Sequence, residues 1–123
     1  MKKLRVGIFG ATGMVGKELL RVLFDRKFPI GTLRLYASSR SEGKKVETPM
    51  GEITVENADS ADYSQLDMAY FAIGGGWTKE NAPKATSAGC LVIDNSSTFR
   101  YDDNVPLVIP EINPEAIGDS KLI

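Results

Sequence analysis

Leu4-Arg5-Val6-Gly7-Ile8-Phe9-Gly10-Ala11-Thr12-Gly13-Met14-Val15-Gly16 is a short apolar run feeding a glycine loop that opens directly into a helix. Val6, Ile8 and Phe9 are β-branched or aromatic, and so brief a run fits a buried parallel strand better than the start of a helix. Gly10 and Gly13 allow a tight turn and let bare backbone approach a pyrophosphate. Its charge would meet the unpaired N–H groups and the positive dipole end of the following helix. Gly16 lacks a side chain, so helix and strand can pack closely. The spacing Gly-x-x-Gly-x-x-Gly is one residue off the commoner Gly-x-Gly-x-x-Gly fingerprint. Glycines alone can turn the chain in any α/β protein; the strand before them and the helix after them are what point to a dinucleotide.

Downstream, Val15, Leu19, Val22 and Leu23 fall at i, i+4, i+7 and i+8, the stripe of a helix lying on a sheet, which Pro29-Ile30-Gly31 ends. Thr32 to Ala37 reads as the second strand of a β-α-β unit. Its exit, Ser38-Ser39-Arg40-Ser41, has no carboxylate before Glu42. A site for NAD places an acid there against the ribose 2′-hydroxyl, whereas hydroxyls plus a guanidinium suit the dianionic 2′-phosphate of NADP. A solvated polar turn is the plainer alternative. Glu42 to Lys45 is a turn, Val46–Thr48 and Glu52–Val55 read as a small polar hairpin or irregular crossover, and Asn57 to Gln65 as a polar loop with a short helical turn.

Met68 to Ile73 is a buried strand running into Gly74-Gly75-Gly76, either a hinge or a backbone surface for a cofactor at a strand exit. Trp77 to Ala88 is a helix carrying Pro83, with Gly89 as its stop. Cys90 to Asp94 is another buried strand, leaving through Asn95-Ser96-Ser97-Thr98-Phe99-Arg100. Arg100, after an exit rich in polar donors, suits a two-pronged contact with a phosphate or carboxylate; pairing with Asp102 or Asp103 is the alternative. Leu107–Ile109 reads as a short strand, Pro110 to Pro114 as a turn, Pro114 to Ile117 as at most one helical turn, and Lys121–Ile123 as the first residues of another strand. The whole pattern is α/β: a Rossmann-like, doubly wound, mostly parallel sheet with helices on both faces.

The length of 123 residues fits one domain. With 15 Lys+Arg against 16 Asp+Glu and no basic block, neither nucleic acid nor an anionic membrane is an expected partner. No stretch approaches a membrane span, and the Lys2-Lys3 start lacks a signal-peptide core and cleavage site, so the expected compartment is the cytoplasm. One cysteine and no histidine exclude an internal disulfide, a Cys/His metal cluster and a Ser-His-Asp triad within these residues. Cys90 opens a buried strand at the end opposite the ligand side and reads as a small hydrophobe.

Five stretches together resemble the N-terminal nucleotide-binding domain of the aspartate-semialdehyde dehydrogenase family: Gly10 to Gly16, Ala37 to Ser41, Phe71 to Gly75, Val92 to Arg100 and Val108 to Asn113. Asp94-Asn95-Ser96-Ser97 with Phe99-Arg100, followed by Pro110-Glu111 and Asn113, is the most specific part. The resemblance implies one NADP-binding domain over residues 1–123. Thr12, Gly13, Met14 and Val15, with Gly10, would hold the pyrophosphate, and Ser39, Arg40 and Ser41 the 2′-phosphate. Gly74, Gly75 and Asn95 would lie beside the cofactor, and Arg100 on the phosphate of the substrate or on inorganic phosphate.

The family reaction interconverts aspartyl phosphate and aspartate semialdehyde with NADPH, on the route to lysine, methionine and threonine, in a full-length protein expected to be a homo-oligomer. It uses a cysteine thiolate in an Asn-Cys stretch beyond residue 123 and a histidine of a following substrate and dimerisation domain. No catalytic residue is therefore expected within these 123 residues, which read as a piece that binds nucleotide without catalysing. An N-acetyl-glutamyl-phosphate reductase domain and a stand-alone NADP(H)-binding regulatory module are the alternatives.

Overall fold

The apolar run becomes strand β1 (Leu4–Phe9) at the centre of the sheet in a computed structural model, which describes residues 2–123. The chain continues through α1 (Met14–Asp25), β2 (Ile30–Ala37), β3 (Lys45–Thr48), β4 (Gly51–Thr54), β5 (Glu56–Asn57), β6 (Met68–Phe71), α2 (Gly75–Ser87) and β7 (Leu91–Asp94). Five strands form one sheet in the order β5-β2-β1-β6-β7, every pair parallel. The order runs outward in both directions from β1, so the chain reverses its winding between β1 and β6. β3 and β4 form a separate antiparallel hairpin with Val46 opposite Ile53.

The period of two along each strand builds two cores. Val6, Ile8, Leu33, Leu35 and Met68 face α1, which contributes Leu20 and Leu23. Phe9, Tyr36, Ala69, Phe71 and Val92 face the other side, where α2 contributes Ala82 and Ala85. The helices thus cover both faces, as doubly wound strands hydrophobic on both sides require.

Both helices end in paired backbone bonds of the Schellman type. Gly89 N donates to Thr86 O and Cys90 N to Ala85 O after α2, with Gly89 at φ +85°. After α1, Lys27 N donates to Phe24 O and Phe28 N to Leu23 O, and Lys27 itself takes the left-handed conformation, φ 54°.

Several boundaries differ from the sequence reading. The stripe of α1 is rotated: Gly16, Leu20 and Leu23 are buried, while Val15 is 44% exposed. The helix ends at Asp25, four residues before Pro29, and Ile30 and Gly31 belong to β2. β6 stops at Phe71, and α2 starts at Gly75 rather than Trp77, with Pro83 deep inside it. Asn57 ends a short strand, followed by two 3₁₀ turns, Ala58–Ser60 and Tyr63–Gln65. Leu107–Ile109 is not a strand; among the described residues no ladder partner reaches it, and Leu107 and Ile109 are exposed. The last residues do join the sheet, since Val92 N donates to Lys121 O and Ile123 N to Val92 O.

Candidate functional site: a cleft at the reversal of strand order

The glycine loop is fixed from two sides. Gly10 N and Ala11 N both donate to Tyr36 O, at 2.8 and 3.1 Å, and Ala72 N donates to Phe9 O at 2.8 Å. Gly10 has φ +96°, and a Cβ there would lie 2.5 Å from Ala72 O. A Cβ on Gly16 would lie 2.2 Å from Gly10 O, so only glycine lets α1 sit this close to the loop. Gly13 is different. Its φ is −80°, and an added Cβ would meet nothing closer than Gly10 O at 3.4 Å. The protein itself leaves room there. α1 begins with no capping side chain and no acid in its first turn, so its leading N–H groups and positive end face outward unneutralised.

The loop opens on a cleft of about 330 Å³ lined by Gly10, Thr12 and Gly13, by Ser38 and Ser39 at the β2 exit, and by Ala72 and Ile73 at the β6 exit. Ser41 N donates to Ser38 O at 3.0 Å, closing the Ser-Arg turn, and the Thr12 hydroxyl donates to Ser41 Oγ at 3.2 Å. Thus the loop expected to meet a pyrophosphate and the turn expected to meet a 2′-phosphate are joined by a side-chain hydrogen bond. Arg40 is exposed on this turn and makes no ion pair among the described residues.

The other expected residues are dispersed. Met14 is 90% exposed at the head of α1, beside Val15, Leu19, Val22 and Tyr70 on an open apolar face. Gly74 and Gly75 are the cap and first residue of α2, next to the cleft rather than lining it. Asn95 and Arg100 share a second cleft of about 240 Å³ beyond β7, with Asp94, Ser96 and Phe99. There Ser96 N and Oγ donate to the Asp94 carboxylate at 2.8 and 2.9 Å, and Thr98 Oγ1 donates to Gly75 O at 3.1 Å. That relay fastens the β7 exit to the first turn of α2. Arg100 pairs with neither Asp102 nor Asp103, nor with any acid among the described residues.

Sequence reasoning missed Asp59 and Trp77. Both line the first cleft, and Trp77 Nε1 donates to Asp59 Oδ1 at 2.9 Å. The signal was faint: one carboxylate in a polar loop and the chain's single tryptophan, assigned only to a helix. Cys90 is fully buried, and burial pushes its thiol up to about 11, both of which disfavour the reactive thiolate. Among the described residues no group of acids, cysteine or histidine is placed to hold a metal ion, and no helix is long and apolar enough to cross a membrane.

Comparison with known proteins bears on the same residues. The family described as semialdehyde dehydrogenase, NAD binding domain, matches residues 5–120. Aspartate-semialdehyde dehydrogenase 2 of Vibrio cholerae is 48% identical over 120 residues, covering 98% of this chain and 36% of that protein. The Streptomyces akiyoshiensis aspartate-semialdehyde dehydrogenase is 50% identical over 116 residues, 94% of this chain and 33% of the relative. The chain therefore spans about a third of the length of these relatives. Among solved structures, aspartate semialdehyde dehydrogenase II of V. cholerae complexed with ASA superposes with a TM-score of 0.94 at 46% identity, over 99% of this chain and 41% of that one. The Candida albicans enzyme with NADP gives a TM-score of 0.80 at 27% identity, over 94% of this chain and 36% of that one.

Proposed function

The chain belongs to the semialdehyde dehydrogenase NAD-binding family, and from that premise we propose that it is the nucleotide-binding part of an NADP-dependent aspartate-semialdehyde dehydrogenase. The reaction is reduction of L-aspartyl 4-phosphate with NADPH to L-aspartate 4-semialdehyde, NADP and phosphate. One observation carries the reading: the glycine loop walls the same cleft as Ser38 and Ser39, which open the Ser-Arg turn, and the Thr12–Ser41 hydrogen bond ties loop to turn.

The residues fit such a cofactor. Room at Gly13 that no protein atom claims, beside an uncapped helix start, suits a diphosphate lying against backbone. In this reading Gly10, Thr12, Gly13, Met14 and Val15 offer backbone N–H groups or close approach to the pyrophosphate. Ser39, Arg40 and Ser41 bind the 2′-phosphate. Gly74, Gly75 and Asn95 flank the nicotinamide end, and Arg100, unpaired in its own cleft, holds the substrate's phosphate. When bound, the reduced cofactor supplies the hydride; these residues position it and supply no proton or nucleophile. A cytoplasmic, homo-oligomeric full-length protein without nucleic-acid or membrane partners belongs to the same proposal. The reductase of N-acetyl-glutamyl phosphate is the weaker reading, because relatives near half identity carry the aspartate-semialdehyde dehydrogenase name.

Calorimetric titration with NADP and NAD tests the assignment. NADP is expected to bind at least about tenfold more tightly, with Arg40→Ala removing that preference and leaving NAD unchanged. Equal affinities for both nucleotides in the unaltered protein overturn the 2′-phosphate assignment, and binding of neither overturns the nucleotide site.

A further inference from the structure

We propose that Asp59, held by the indole of Trp77, accepts a hydrogen bond from the exocyclic amino group of adenine and makes the cleft select adenine over hypoxanthine. This rests on the nucleotide reading above and adds a base-specificity residue to it.

The placement carries the argument. Asp59 follows β5, the strand beyond β2 on the side of the sheet away from β7, Asn95 and Arg100. Phosphates at the glycine loop and a 2′-phosphate at the Ser-Arg turn leave the adenosine half of a dinucleotide on the Asp59 side. The cleft wall there is apolar: Ala58 is buried, and Ile73 and Trp77 stand nearby. Such a wall suits a planar base.

Asp59 is the one carboxylate in that lining among the described residues. It repels phosphates and can only accept from a donor. Trp77 is itself wedged against Phe9 and Phe71, with ring centroids 5.6 and 4.9 Å away, so its N–H holds Asp59 Oδ1 from a fixed base. Among the described residues Oδ2 has no hydrogen-bond partner. An adenine amino group is a donor on a flat apolar body, and hypoxanthine presents a carbonyl oxygen at that same position.

The test compares NADP with its hypoxanthine analogue by calorimetry. In the unaltered protein NADP is expected to bind about tenfold more tightly, the range of one hydrogen bond to a charged acceptor. Asp59→Asn offers a donor as well as an acceptor, so the preference should fall to about twofold or invert, with unfolding midpoints checked in parallel. Trp77→Phe keeps an aromatic side chain and loses the N–H, and should give an intermediate preference. If the unaltered protein binds both analogues equally while still preferring NADP to NAD, the Asp59 assignment is overturned and the nucleotide site stands. If it binds neither, both are overturned.

Discussion

At the scale of single residues, the three loop glycines have different reasons for being glycine. Gly16→Ala places a methyl 2.2 Å from Gly10 O, a backbone atom that cannot swing aside. It is expected to destabilise the fold by about 2–4 kcal/mol in a urea titration, as overpacked sites do. Gly13→Ala meets nothing closer than 3.4 Å, and the residue precedes the first turn of α1 at an ordinary φ. Its stability is expected to change by less than about 1 kcal/mol, while NADP affinity falls at least tenfold. A Gly13→Ala variant that binds normally would show that the loop keeps its distance from the diphosphate. Cys90 gives a second residue-level contrast. With its thiol wholly buried and pushed up to about 11 by that burial, it should resist a thiol reagent in buffer and react fully in denaturant. The tight turn at Gly10, the close packing at Gly16 and the burial of Cys90 were legible in the sequence, because each follows from strand-loop-helix order. Asp59 was not, because its meaning depends on Trp77, 18 positions away.

At the scale of elements, the joints between strands and helices set the remaining stability. Lys27 ends α1 in the left-handed region, where a Cβ is strained, and makes the same paired backbone bonds that Gly89 makes after α2. Lys27→Gly is therefore expected to stabilise by about 0.5–1 kcal/mol, read from the denaturation midpoint. The start of β1 is pinned to the turn before β6 by Arg5, whose backbone N and guanidinium both donate to Asp67, at 2.8 to 3.3 Å. Those bonds hold the Asp67 carboxyl below its ordinary value. A depressed carboxyl contributes stability above the unfolded carboxylate range and loses it as pH falls through the folded value. Asp67→Asn should thus lower the unfolding midpoint at pH 7, and the gap should narrow as pH falls below the ordinary carboxylate range. The helix and strand types were readable from periodicity, yet the burial face of α1 was not. Val15, Leu19 and Val22 match a helical stripe, but tight packing at Gly16 turns Leu20 inward and Val15 out. Leu107–Ile109 misled for the opposite reason: three consecutive apolar residues fit a strand, but Asn113 takes the backbone groups. Its Oδ1 accepts from Ile109 N and its Nδ2 donates to Leu107 O, so no ladder forms.

At the scale of the whole molecule, the strand order explains why the cleft is where it is. The chain leaves β1 through α1 to β2 on one side and later returns to place β6 on the other. This opens a crevice at the carboxyl ends of β1 and β6, bordered by the loop, by Ser38 and Ser39 and by Trp77 in the first turn of α2. The alternation of continuous apolar runs with helical stripes made that topology readable, since parallel strands buried on both faces need helices on both. The same reasoning says little about the segment after β7, which has no regular strand and shows Tyr101 at 93%, Leu107 at 61%, Ile109 at 50% and Ile112 at 72% exposure. Apolar side chains clustered on one irregular stretch favour association in water, because covering them removes surface at about 25 cal/mol per Å². The 123-residue chain is therefore expected to sediment faster as its concentration rises. Replacing Ile109 and Ile112 together by lysine should suppress that dependence without lowering the unfolding free energy by more than about 1 kcal/mol, since both side chains are exposed. A sedimentation coefficient that stays constant with concentration in the unaltered chain would mean that these exposed side chains do not drive association. In that case the variant would differ from it only in charge.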